Sequence, residues 1–363
     1  MLRSHLLLAS FCVIGIAVGC GDDDGTGGSG GGGGGTPSGP GLQPPERPEG
    51  ASPGDGTGMV FGTSHIYIGT KTRAGQESPD AWKDFGYDLD GQITAQDFSN
   101  HCKPNGSAAP NNVFPDGTDG IDNAFGRVLL PIIKTAAATS VSDLEAELNG
   151  AIAEGSFNVM LNLTDLGDGA NYNPVKALLL AGKEGVGNTW KAAPEFLTNP
   201  ADPTSAKVKF DNSYVVENVW VSGDKGTVEL NIAIAGFDLA LNIESALITM
   251  EMDSAHGGAT KGVISGVLDT EDLILQLKDV LGAVDESFCE GSAVDSILNQ
   301  IRQASDIMKD GSQDPSAICD GISIGIGFDA TVVTLDGVGM PAEEQPPPCT
   351  EGTGGGGGAG GGT

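Results

Sequence analysis

The chain has 363 residues, 49 acidic side chains against 18 Lys and Arg, a formal net charge of -31 and only 5% aromatic residues. So acidic a balance disfavours nucleic acid and anionic lipid head groups, both polyanions, and leaves cationic partners or divalent metal ions open. No segment carries the roughly 18 to 20 continuous apolar residues that a membrane-spanning helix needs.

Arg3 precedes a short apolar stretch, Leu6 to Val18, which runs into Ala17-Val18-Gly19-Cys20-Gly21. A basic residue, a short apolar region and small residues before a cut mark a secretory signal rather than a span. Around Cys20 the sequence resembles the lipobox of bacterial lipoprotein precursors, with Ala17 where Leu is usual. The resemblance covers residues 1–20. It implies a signal peptide over 1–19, lipidation at Cys20 and membrane attachment through that lipid, with more than one acyl chain because a single chain binds only marginally. Gly21 rather than Asp follows Cys20, so resemblance to sorting in enteric bacteria places the protein in the cell envelope, at the outer membrane.

Residues 20–58 read as the lipidated cysteine and a disordered Gly/Pro-rich tether, with the run Gly30 to Gly35 and Pro37, Pro40, Pro44, Pro45, Pro48 and Pro53. Such a composition buries too little apolar surface to fold. The Gly-rich tail over 350–363 has the same character. Between them, residues 59–349 are expected to form one globular domain.

The segment Gly86-Tyr87-Asp88-Leu89-Asp90-Gly91-Gln92-Ile93, ending at Asp97, resembles a calcium loop of the EF-hand or dockerin type. The resemblance implies side-chain ligands at Asp88, Asp90 and Asp97, a carbonyl ligand at Gln92 and a sharp turn at Gly91. Calcium takes six to eight oxygens, which closely spaced carboxylates around a glycine turn can supply. Gly86 stands where the family places its first Asp. A second acidic turn, Asp116-Gly117-Thr118-Asp119-Gly120-Ile121-Asp122-Asn123, offers Asp116, Asp119 and Asp122 to complete the shell. Asp-Gly pairs are also ordinary turn formers, so turns without metal stay open as the alternative. The two turns bracket Cys102. Together, over Phe85 to Pro131, they are similar to a segment of uncharacterised myxobacterial lipoproteins, which implies no activity.

Cys12 falls in the signal and Cys20 is the lipid site, leaving Cys102, Cys289, Cys319 and Cys349. Outside the cytoplasm four cysteines suggest two disulfides, with three possible connectivities. The expected pairs are Cys289 with Cys319 and Cys102 with Cys349. The spacing lacks the paired C-x2-C knuckles of a zinc site.

Further along, Ser142 and Glu145 have capping-box spacing before the stripe Leu144, Leu148, Ile152. Strands are expected at 156–163, 207–210, 214–221, 262–268 and 322–334. Alternation from Thr227 to Asp253 changes phase after Gly236 and again before Ile248, each change marking a turn or bulge. Asp269 is placed to cap a second helix, and Val294 to Met308 reads as a third. The fold class that follows is α+β, mainly antiparallel β, as a sandwich or curved sheet with a few amphipathic helices packed on it.

Catalytic signatures are weak. Ser222-Gly223-Asp224-Lys225 matches S-x-x-K but falls in a loop, and His65, His101 and His256 lie in no two-histidine metal spacing. Trp220, in an alternating strand, reads as core, and Trp82, beside the acidic turns, as a surface residue. The expected function is a lipid-anchored, non-catalytic binding or structural domain displayed in the envelope. A carrier of lipid or another apolar ligand is the first alternative. An extracytoplasmic hydrolase with a site assembled only in space is the second.

Overall fold

The computed structural model describes residues 41–94, 100–108, 115–136, 143–234, 237–284, 288–342 and Cys349. The strands are β1 (Met59–Tyr67), β2 (Asn158–Leu163), β3 (Tyr172–Val186), β4 (Thr189–Ala192), β5 (Val208–Val216), β6 (Val219–Val221), β7 (Gly226–Ile234), β8 (Phe237–Met252), β9 (Gly258–Asp269), β10 (Gly321–Val332) and β11 (Thr334–Val338). Among the described residues the α-helices are α1 (Leu130–Ala136), α2 (Leu144–Glu154), α3 (Thr270–Val284) and α4 (Ser292–Arg302).

Eight strands run in the order β3, β2, β1, β10, β9, β8, β6, β5, and β5 pairs back onto β3, so the sheet closes into an antiparallel barrel. This corrects the expected sandwich or curved sheet. Alternation specifies an inside and an outside for each strand, but a sandwich and a barrel demand the same alternation. Closure depends on β3 and β8, which are long enough to serve two neighbours along one edge. The first half of β3 pairs β5 while its end pairs β4; the end of β8 pairs β6 while its start pairs β7. The two phase changes have separate causes. The first falls between β7 and β8, which pair antiparallel, and the second at a bulge between Glu244 and Leu247, where Ser245 takes a φ of 49°. The run 214–221 is two strands, folded at Glu217 and Asn218, both with positive φ.

Among the described residues the barrel interior is closely packed. Phe61, Val159, Leu161, Leu179, Ile248, Ile264, Phe328 and Ala330 line its middle, with Thr63, and the space left among them is about 10 Å³. An adjoining space bounded by Leu148, Phe157 and Leu230 is about 20 Å³. Each has room for about one water. Trp220 is fully buried in the large apolar core, as expected, and its Nε1 donates to Ser213 Oγ at 2.9 Å.

An outer layer covers the wall at β9 and β10. It can approach because β10 reads Gly-Ile-Ser-Ile-Gly-Ile-Gly, with Gly325 and Gly327 pointing outward. A Cβ on Gly325 would stand 2.0 Å from the Phe85 carbonyl oxygen, and one on Gly327 would stand 2.3 Å from the Phe85 ring. Asn123 fastens this contact: its Nδ2 donates to the carbonyls of Trp82, Phe85 and Gly325, and its Oδ1 accepts from Gly126 and Gly325. Trp82 lies under this layer, 5% exposed, and is no surface residue.

The helices follow the sequence with adjustments. Asp269 caps α3, accepting from Glu271 and Asp272. Asp143 caps α2, accepting from Ala146 N at 3.1 Å, so the expected cap at Ser142 falls one residue early; Ser142 itself lies outside the described residues. Glu145 is buried and accepts from Ile68 N and Thr70 Oγ1. The third helix stops at Arg302 instead of reaching Met308, because Ile307 bridges to Gly321.

Two further expectations change. Cys102 pairs with Cys319 and Cys289 with Cys349, not the expected partners. After α4 the chain turns back beside residues 102 and 103, where Lys103 N donates to Ala317 O and Cys319 N to Lys103 O, and this brings Cys319 to Cys102. The other pair packs on α3 at Gly282, where a Cβ would meet Cys349 Sγ at 2.1 Å. The packed chain also begins earlier than residue 59. Residues 41–58, read as tether, lie along the barrel: Gly54 N donates to Pro174 O, Gly56 N to Asp165 O and Gly58 N to Leu166 O. Added Cβ atoms at these three glycines would come within 2.5 Å of backbone oxygens, so glycine here serves close approach rather than flexibility.

Candidate metal centre

The acidic loop sits on the outer wall, tied down by Tyr87, whose N donates to Ser265 Oγ and whose hydroxyl shares a 2.9 Å hydrogen bond with Thr249 Oγ1. Asp88 Oδ1 accepts from Gly91 N at 2.7 Å and Gln92 N at 3.1 Å, and Gly91 takes a φ of 79° at the sharp turn. Asp90 Oδ1 accepts from Gln92 N. Gly86 adopts a φ of 133°, and a Cβ there would lie 2.8 Å from Ile121 Cγ2. No side chain fits at that position. The third carboxylate comes instead from the second turn: Asp122 Oδ2 accepts from Leu89 N at 2.7 Å, and ligand oxygens of Asp88, Asp90 and Asp122 all lie within 4.8 Å of one another.

Two more carboxylates stand against this trio. Asp116 Oδ2 accepts from Thr94 N. Asp306, after α4, accepts from Ser323 N at 2.9 Å and from Ser323 Oγ. Gln313 joins the parts, donating from Nε2 to Asp90 Oδ2 and the Asp306 carbonyl and accepting from Cys102 N. The Cys102–Cys319 bridge thus closes the site on one side.

Burial, reinforced by the neighbouring carboxylates, drives these groups toward the protonated form. Asp90 is pushed up to about 6, Asp306 to about 7 and Asp116 to about 9, while Asp122 is raised well above the usual carboxylate range by burial and by Asp90, Asp116 and Asp306. Arg127 senses Asp306 and Asp116, which partly offset the lowering of its own pKa by burial. Packed carboxylates that resist ionisation are what a bound cation would relieve, and an all-oxygen set suits a hard ion such as calcium.

Of the residues expected to bind metal, Asp88, Asp90 and Asp122 converge and Asp116 adjoins them. Asp119 is exposed, and Gln92 contributes backbone N–H bonds to Asp88 and Asp90; Asp97 lies outside the described residues. Asp306, Gln313 and Arg127 were not expected. Asp306 gives only a faint sign of its place, a charge within the run Ser305-Asp306-Ile307-Met308.

His101 Nε2 lies 2.7 Å from Thr94 Oγ1, and its Nδ1 lies 3.8 Å from Asp90 Oδ2. Hydroxyl, imidazole and carboxylate stand in the order of a nucleophile, base and orienting acid. Thr94 and His101 are each 5% exposed.

Comparison of the chain with family models, curated proteins and solved structures gives no match, which leaves the geometry to carry the functional conclusion.

Proposed function

We propose that this chain is a lipid-anchored envelope protein, attached through Cys20, whose barrel displays a non-catalytic binding or structural surface. In this proposal a calcium ion held by Asp88, Asp90 and Asp122, with Asp116 and Asp306 beside them, fastens the outer layer. The observation that carries the metal assignment is the convergence of carboxylates from two separate turns at one buried point. The small internal spaces, about 10 and 20 Å³, support display over the carrier alternative, because neither admits an acyl chain. Burial of Thr94 and His101 favours a positioning role for the imidazole beside Asp90 over hydrolysis.

Calorimetric titration of the chelator-treated protein with calcium tests the metal. One saturable site, weakened at least about tenfold by Asp122→Asn, is expected; absence of calcium heat together with an unchanged Tm would overturn it. Mass spectrometry of the membrane-fraction protein tests the anchor: acyl mass on Cys20, lost in Cys20→Ala, is expected, and an unmodified cysteine would remove it.

A further inference from the structure

The strap over residues 41–58 makes more contact with the acidic turns than a tether requires. Gly41 N donates to Asp88 Oδ2 at 2.5 Å, Gln43 Nε2 to Asp88 O at 2.6 Å, and Asp88 N to Leu42 O at 3.0 Å. Leu42 N donates to Asp119 O at 2.7 Å, on the other turn. A Cβ on Gly41 would lie 2.1 Å from that same oxygen. Three consecutive strap residues therefore bridge two turns that are separate in sequence.

Farther along, Arg47 holds the strap to the barrel wall. Its guanidinium lies 4.6 Å from the Tyr214 ring centroid and donates to Asn173 Oδ1 and Asn212 O, while the Tyr214 hydroxyl donates to Pro45 O at 2.6 Å. The bond pattern has three stations: the acidic turns, Tyr214 and the turn after β2.

We propose that residues 41–58 are a latch, with 41–43 bridging the two acidic turns so that strap and turns dock and open as one unit, and with Arg47 as its pin. The seat exists only while the turns are held together, and carboxylate repulsion works against that. The latch rests on these contacts and not on the proposed lipid anchor.

Hydrogen exchange on the full chain tests it, comparing wild type with Gly41→Ala and Arg47→Ala. Both variants are expected to speed exchange about tenfold or more at strap amides and also at Leu89 to Gln92 and Gly117 to Asp122, leaving β9 and β10 at wild-type rates. Fast strap amides over fully protected turns would overturn the latch, as would unchanged exchange in both variants. A calcium arm separates this from the metal assignment. Calcium that slows the turns but not the strap in wild type removes the latch and keeps the metal. Variants that loosen both while calcium changes nothing keep the latch and remove the metal.

Discussion

Gln313 Nε2 donates to Asp90 Oδ2 at 2.9 Å, and this contact joins the acidic loop on the barrel wall to the segment that follows α4. Through it the site acquires Asp306, the Cys102–Cys319 bridge and the start of β10 as supports.

The pH dependence has a definite sign. Asp90, Asp306 and Asp116 are raised to about 6, 7 and 9 in the folded domain, against about 4 in an unfolded chain. The folded state then holds more protons than the unfolded between about pH 4 and 9, so these groups lower stability as pH rises through that window. In chelator, Tm should be lower at pH 8 than at pH 5, and calcium should flatten the profile. A chelated domain with equal Tm at both values would refute the prediction.

Asp306→Asn removes one buried charge while keeping an oxygen for Ser323 N. Without cation at pH 8 the variant should melt higher than wild type, and its calcium affinity should fall about tenfold. Thermal scans with and without calcium check both; a lower Tm in chelator would mean that the carboxylate's bonds to Ser323 outweigh its repulsion.

Removing the bridge that closes a separation of 217 residues, by Cys102→Ala with Cys319→Ala, should cost about 2–4 kcal/mol in denaturant unfolding. Peptide mapping without reduction should first recover Cys102 linked to Cys319 and Cys289 linked to Cys349. Any other linkage contradicts the observed pairing.

Gly325→Ala places a methyl 2.0 Å from the Phe85 carbonyl oxygen, a backbone atom that cannot swing away. The expected cost is about 1–3 kcal/mol, with weaker calcium binding and an unchanged β signature by circular dichroism. A wild-type calcium affinity would show that the loop's seat on β10 does not position the site.

Trp220→Ala should destabilise the barrel by roughly 3–5 kcal/mol through lost burial and the cavity left behind. Trp220→Phe should cost less, since Ser213 Oγ retains its own acceptor at Val175 O. Chemical unfolding of the pair measures the difference.

By itself the sequence determined local matters: strands along Thr227 to Asp253, the cap at Asp269, the buried Trp220 and two acidic turns rich in Asp-Gly. Periodicity and capping act over a few residues, so one dimension suffices to read them. Only the tertiary structure decided barrel over sandwich, because closure is a pairing of β5 with β3 that no local pattern encodes. It also decided which cysteines meet, that Asp122 rather than residue 86 supplies the third carboxylate, and that Asp306 joins it. The glycines of the strap and of β10 read as flexibility in sequence. In the folded chain they are the positions where backbones press together, since the absence of a Cβ permits both and only the neighbour tells which.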